Sequence, residues 1–210
     1  LSAASKAKRM KPDMEIQVFE KTGYISYGAC GLPYFVGGMI EEPDDLVSLT
    51  VDQVTNKRGI PTCIHHEVTR IDREKKTVTV VNLDNQEERE LPYDKLVIAT
   101  GARPIKPNIP GIDAEEIYYL RTVEDGILLK ERVISQGKKK AAIVGGGFIG
   151  LEVAEEMTQC GVEVHLYEMM PRLLPFLESS FSDQVTKTLL DHGVHVHTGV
   201  SVDEILACDG

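Results

Sequence analysis

The 210-residue sequence has no apolar run near the roughly 18 residues that a membrane-spanning helix needs, and no charged start followed by an apolar middle of the kind that directs secretion. Both absences point to a soluble, cytoplasmic protein. Its four cysteines, Cys30, Cys63, Cys160 and Cys208, show neither CxxC nor zinc-ligand spacing, and a chain of this length does not depend on a disulfide framework. Any cysteine chemistry is therefore redox or nucleophilic. Basic side chains are in deficit: 23 Lys and Arg against 33 Asp and Glu give a net charge of −10. Such a surface repels a polyanion and offers no phosphate-neutralising face, which argues against nucleic acid as a partner.

With 42% apolar residues, the chain can bury the core of one large or two small domains. Strands and helices alternate as in βαβ units, which implies an α/β fold with a largely parallel sheet. "LSAASKAKRMKPDM" has helical composition and a stop at Lys11-Pro12, because the residue before proline is pushed out of the α region. A short strand is expected over 15–20, helix over much of 39–60 with Gly59 as its stop, a cleanly alternating strand over 77–83 with a polar turn after it, and a buried strand over the continuous apolar run 95–101. "GARPIKPNIPGI" (101–112) packs three prolines and two glycines into twelve residues and reads as a domain boundary. The chain opens on a helix without an N-cap and closes just after a strand-like run, so it reads as part of a longer one.

The segment 139–168, "KKAAIVGGGFIGLEVAEEMTQCGVEVHLYE", is strand, glycine turn, helix and strand. Gly145, Gly147 and Gly150 form G-x-G-x-x-G directly after an apolar run, with Glu168 ending the next strand 18 residues beyond the last glycine. The first glycine permits the tight turn, the second lets backbone N–H groups approach a pyrophosphate, and the third lets helix and strand pack closely. Phe148 and Ile149 complete the turn at the start of the helix, whose N-terminus favours phosphate. Glu168 suits a ribose with both hydroxyls and repels a 2′-phosphate, favouring NADH over NADPH, with Arg172 nearby to soften the preference.

Residues 2–20 repeat the end of that layout: small-residue helix, break, short strand, then the acid Glu20. "LVIATGARP" (96–104) adds a strand running into Thr100-Gly101, where small residues bring backbone close to a cofactor. Together they suggest a second dinucleotide. Between the two halves stands "SYGACGLPYF", with Cys30 among Gly28, Ala29 and Gly31 and a proline-stiffened segment that can open a helix just after the sulfur. Cys30 is the candidate redox atom. Cys63 and Cys208 have no chemical recommendation, and Cys160 before Gly161 reads as a helix C-terminus.

"VFEKTGYISYGACGLPYFVGG", "YDKLVIATGARP" and "AAIVGGGFIGLEVAEEM…VEVHLYE" resemble the single-cysteine branch of the pyridine nucleotide-disulfide oxidoreductases, which contains coenzyme A disulfide reductases, NADH oxidases, NADH peroxidases and persulfide reductases. The resemblance implies tandem Rossmann-like domains, a partial FAD-binding domain over 1–107 and a partial NAD(P)H-binding domain over 108–210, with the first glycine turn expected before Leu1 and a dimerisation domain after Gly210. It implies FAD and NADH as cofactors and a homodimer. It places Glu20 and Lys21 at the FAD ribose, the backbone of Val68 at the adenine, and Thr100 and Gly101 at the flavin nucleotide. Two-cysteine members carry a second thiol five residues after the first, where this sequence has Phe35, so Cys30 would cycle as a sulfenic acid, a mixed disulfide or a persulfide. "CGLPY" is closer to the coenzyme A disulfide and persulfide reductases, although those often have asparagine where this sequence has Ala29. Ser2, Lys6 and Arg9 fall at i, i+4 and i+7 on one helix face that the resemblance turns toward coenzyme A phosphates, with Arg58 and Ser26 as further substrate contacts. The small-molecule acceptor is thus a coenzyme A disulfide, a persulfide or a related thiol. Oxygen or peroxide reduction, and a dinucleotide-binding redox module without turnover, stay open as alternatives.

Overall fold

The computed structural model describes residues 1–137 and 139–206; Cys208 lies outside the described residues. The chain forms two compact units, residues 1–28 with 47–102, and residues 29–46 with 103–210. The cut after Ala102 falls in the proline- and glycine-rich stretch, while the segment bearing Cys30 groups with the second unit.

In the first unit, α1 (Ser2–Met10) ends at Lys11, whose φ of −138° is non-helical, as the following proline requires. The strand expected over 15–20 is reduced to β1 (Val18–Phe19), paired in parallel with β2 (Thr62–Cys63). β3 (His66–Asp72), β4 (Thr77–Asn82) and β5 (Glu88–Pro92) form an antiparallel sheet in that order. The alternation read in β4 is realised, since Val78 and Val80 are buried between less buried threonines. β3 and β5 flank it through polar turns that the sequence reading left without strands.

Two expectations fail here for physical reasons. The helix expected within 39–60 is broken into a 3₁₀ turn at Pro43–Leu46 and a π-helical stretch at Gln53–Lys57. Between them the Ser48 and Leu49 N–H groups donate to the Ser26 carbonyl, and Val47 bridges Tyr27, so the backbone bonds across the chain instead of along a helix. Gly59 does end the second stretch, with φ of +63°. The run 95–101 is not a buried strand: it has no regular secondary structure, among the described residues no strand pairs with it, and Val97 and Ile98 are about two-thirds exposed. A continuous apolar strand is buried only when layers cover both of its faces, and sequence shows the apolarity without showing the cover.

The second unit is a βαβαβ arrangement: β6 (Lys140–Val144), α4 (Phe148–Gln159), β7 (Glu163–Glu168), α5 (Ser179–Asp191) and β8 (His195–Thr198), with the strands parallel in the order β6-β7-β8. Val164 and Leu166 of β7 face a core that includes Val153, Ala154 and Met157 of α4 and Leu189 of α5. Each Val, Leu or Met side chain so buried contributes about 1.5–3 kcal/mol of apolar transfer free energy. α2 (Leu32–Val36) packs on α4 and on α3 (Val123–Lys130). α3 begins with a capping box: the Thr122 hydroxyl accepts the Asp125 N–H at 3.2 Å and the Asp125 carboxylate accepts the Thr122 N–H at 2.8 Å. No helix among the described residues is long and apolar enough to cross a membrane.

Candidate functional site

The glycine turn between β6 and α4 is built by close approaches. Gly145 has φ of +114°, and its N–H donates to the Tyr167 carbonyl at 2.8 Å, which carries the β6-β7 ladder into the turn. A Cβ on Gly150 would collide with the Gly145 carbonyl, so the third glycine lets α4 sit against the turn. Gly147 caps α4, and a Cβ there would meet no protein atom within 4 Å. Packing within the chain therefore does not explain why that position is glycine, whereas a ligand lying against the backbone would. Phe148 and Ile149 are exposed at the head of α4, with the Phe148 ring 5.4 Å from that of Phe176.

Glu168 closes β7 beside this turn and is buried. Its carboxylate accepts the Gly146 N–H at 2.7 Å and the Met170 N–H at 2.8 Å, one on each oxygen, and each oxygen keeps a lone pair for a further donor such as a ribose hydroxyl. Arg172 turns to the following loop, donating to the Pro175 carbonyl at 3.4 Å. Gly146 is the residue that motif reading missed. It supplies the N–H that positions Glu168, and a Cβ there would run into the Leu173 side chain. The only signal was its place in the middle of three consecutive glycines, 145–147. The open Gly147 backbone, the helix N-terminus and the held carboxylate together fit the pyrophosphate and ribose of a dinucleotide.

In the first unit the Glu20 carboxylate accepts the Thr22 N–H at 2.9 Å and the Thr22 hydroxyl at 3.0 Å, which fixes it at the end of β1. Lys21 is paired with Glu67 at 2.8 Å on the surface. Val68 sits at the bulge of β3, and Gly101 follows Thr100 with φ of +67°. On α1, Ser2, Lys6 and Arg9 are all exposed, and Arg58 is drawn to the same helix by donating to the Ser5 hydroxyl at 3.2 Å. Ser5 is a bridging residue that the sequence reading did not single out. Ser26 offers its carbonyl to Ser48 at 2.9 Å.

Cys30 is exposed in a 3₁₀ turn, Ala29–Gly31, that leads directly into α2. Gly31 packs closely, since a Cβ there would stand 2.6 Å from the end of the Leu46 side chain, which would have to shift. Phe35, five residues on, is buried, and the Lys130 ammonium lies 4.2 Å above its ring while donating to the Ile40 and Glu41 carbonyls. No second thiol faces Cys30 at that position. The Cys160 thiol donates to the Gly37 carbonyl at 3.3 Å, and burial and the neighbouring Glu156 raise its pKa, which lowers its thiolate fraction. Glu156, pressed against Gly37, has its own pKa raised by burial and by Glu155.

A βαβαβ unit that carries this turn and an exposed thiol, in a chain whose other unit bears a second strand-end acid, defines a dinucleotide-binding redox protein. Residues 1–210 match the pyridine nucleotide-disulphide oxidoreductase family, and the chain belongs to it. FAD and NAD(P)H are the cofactors of this family. The chain is 40% identical to a solved NAD-dependent persulfide reductase from A. fulgidus, with a TM-score of 0.91, covering 99% of this chain and 39% of that one. It is 34% identical to the coenzyme A disulfide reductase of Staphylococcus haemolyticus over 184 residues, 88% of this chain and 41% of the relative. A water-forming NADH oxidase from Lactobacillus brevis, solved with NADH bound, is 31% identical with a TM-score of 0.92, covering 99% of this chain and 46% of that one. The chain spans less than half the length of the curated relatives it matches.

Proposed function

We propose that the chain is the dinucleotide-binding and thiol-bearing part of an NADH-dependent flavoprotein that reduces a coenzyme A disulfide, a persulfide or a related thiol substrate through Cys30. The observation that carries this reading is the exposed Cys30 thiol at the head of α2 with a buried phenylalanine where a partner thiol would stand. Residues 1–107 would serve FAD, through Glu20, Lys21, Val68, Thr100 and Gly101. Residues 108–210 would serve the nicotinamide dinucleotide, through the Gly145–Gly150 turn and Glu168. Bound, the two cofactors supply a hydride donor and a flavin that hands on electrons in pairs. The Cys30 thiolate attacks one sulfur of a substrate disulfide, forming a mixed disulfide and expelling the other half as a thiolate. Two electrons and a proton then split the mixed disulfide, releasing the second thiol and restoring the Cys30 thiolate. Ser2, Lys6, Arg9 and Arg58 offer two kinds of donor, hydroxyl and cation, for coenzyme A phosphates, with Ser26 nearer in sequence to the thiol. A homodimer and a small-molecule acceptor complete the reading.

A second reading keeps the same thiol but gives it oxygen or peroxide, with Cys30 passing through a sulfenic acid. Ala29, where asparagine is common among the disulfide and persulfide reductases, and the similarity to NADH oxidases favour it. Anaerobic titration of the FAD-loaded protein with NADH tests the common core of both. The wild type is expected to take more than one reducing equivalent per flavin, because oxidised sulfur takes the extra pair, and Cys30→Ser is expected to take one. Equal uptake by the two proteins sinks the role of Cys30.

A further inference from the structure

Three of the chain's six histidines lie on one face of the β6-β7-β8 sheet, and the dinucleotide reading uses none of them. β7 presents Glu163, His165 and Tyr167 on that face, β8 presents His195 and His197, and β6 presents Lys140, because side chains alternate along each strand while Val164, Leu166 and Val196 turn to the core. His165 and His195 are direct register partners, with rings 4.4 Å apart. His165 Nε2 is 3.1 Å from Glu163 Oε1, and one ligand atom from each of Glu163, His165 and His195 lies within 4.8 Å of the others.

We infer that Glu163, His165 and His195 form a binding site for a divalent transition-metal ion of the Zn²⁺ or Ni²⁺ class, distinct from the dinucleotide site. Two imidazoles and one carboxylate suit these borderline cations, which take nitrogen readily, and do not suit Mg²⁺ or Ca²⁺, which take oxygen. Partial exposure lets the two rings turn about χ2 so that their lone pairs converge. The support behind the ligands is also present. His165 Nδ1 lies 3.2 Å from His197 Nε2, so a metal on Nε2 leaves the Nδ1–H to donate to His197, which fixes tautomer and ring orientation. His197 is in turn stacked on Tyr167 at 4.6 Å. Lys140 Nζ sits 3.1 Å from the same Glu163 oxygen and competes with the metal for it. The cluster is in the first half of β7, whereas Glu168 and the glycine turn are at its end, about 10 Å from His165 and about 16 Å from Glu163 at roughly 3.3 Å per residue. A bound ion would join β7 to β8 without touching the dinucleotide site.

The test is calorimetric titration of the whole chain with Ni²⁺ alone, after alkylation of the cysteines to remove competing thiolates. One ion per chain is expected in the micromolar range, weakened at least tenfold by His195→Ala and by the near-isosteric Glu163→Gln, and weakened less by His197→Phe with the stoichiometry kept. Lys140→Ala is expected to tighten binding, a gain that no folding defect can mimic. Equal stoichiometry and affinity in a His165→Ala, His195→Ala double variant, no uptake at about 1 mM Ni²⁺, or a Lys140→Ala chain that binds no tighter would each overturn the site.

Discussion

Glu168 at the end of β7 and Gly146 in the loop after β6 stand 22 positions apart, yet the carboxylate of one accepts the N–H of the other at 2.7 Å. The acid proposed to bind ribose is therefore also the fastener of the turn proposed to bind pyrophosphate. Removing it changes two things at once, and the variants can be chosen to separate them.

Glu168→Ala is expected to weaken NADH binding about tenfold or more, since a hydrogen bond to a charged group is worth about 1.5–3 kcal/mol, and to narrow the difference between NADH and NADPH. Glu168→Gln keeps one acceptor for the turn and is expected to melt closer to the wild type while still losing discrimination. Affinities for both nucleotides, read by fluorescence titration, check this. A wild type that already prefers NADPH would refute the role given to Glu168.

The second and third glycines of the motif divide in the same way. Gly150→Ala drives a methyl into the Gly145 carbonyl and is expected to cost about 1–3 kcal/mol of stability together with NADH binding. Gly147→Ala meets open space, so the variant is expected to melt as the wild type does and lose only nucleotide affinity. Paired thermal melts and NADH titrations decide the matter, and a Gly147→Ala chain with unaltered affinity would remove the pyrophosphate from that turn.

Glu156 provides a pH signature. Its pKa is raised in the fold by burial, so the native state binds its proton more tightly than the unfolded chain does, and stability falls as pH rises from the unfolded pKa through the folded one. Glu156→Gln, which is neutral throughout, is expected to melt above the wild type at pH 7.5. The advantage should vanish below about pH 4, where the wild-type carboxyl is protonated in both states. A gain that does not depend on pH would show that packing, not charge, is responsible.

The exposed face of α1 separates coenzyme A from simpler acceptors. Reversing Lys6 and Arg9 to glutamate is expected to slow turnover of coenzyme A disulfide in the flavin-loaded protein and to leave NADH reduction of the flavin unchanged. Both side chains are solvated, so the fold should tolerate the change. Parallel assays with coenzyme A disulfide and inorganic polysulfide check it, and equal rates for variant and wild type on both would take coenzyme A off the list.

The sequence by itself determined the elements whose signals are local. Lys11-Pro12 ended α1 because proline restricts its neighbour, Gly59 and Gly161 closed their segments with positive φ, and the alternation of Thr77–Asn82 selected the buried valines. The β6-turn-α4 motif was equally legible, because three glycines after an apolar run answer to steric contacts within a few residues of one another. What only tertiary structure decided were the contacts between distant segments. Glu168 was marked as a strand-end acid, but its tie to Gly146 depends on β6 and β7 lying side by side. Arg58 comes to α1 through Ser5, 53 positions away, and the apolar run 95–101 lacks the covering layers that its composition leads one to expect. The same holds for the histidine face, since nothing in "VHLYE" or "VHVHTG" says that the two strands are parallel neighbours in a register that sets His165 against His195. Residue type and short-range sterics are carried along the chain, whereas adjacency and register arise only when separate segments bury their apolar faces together.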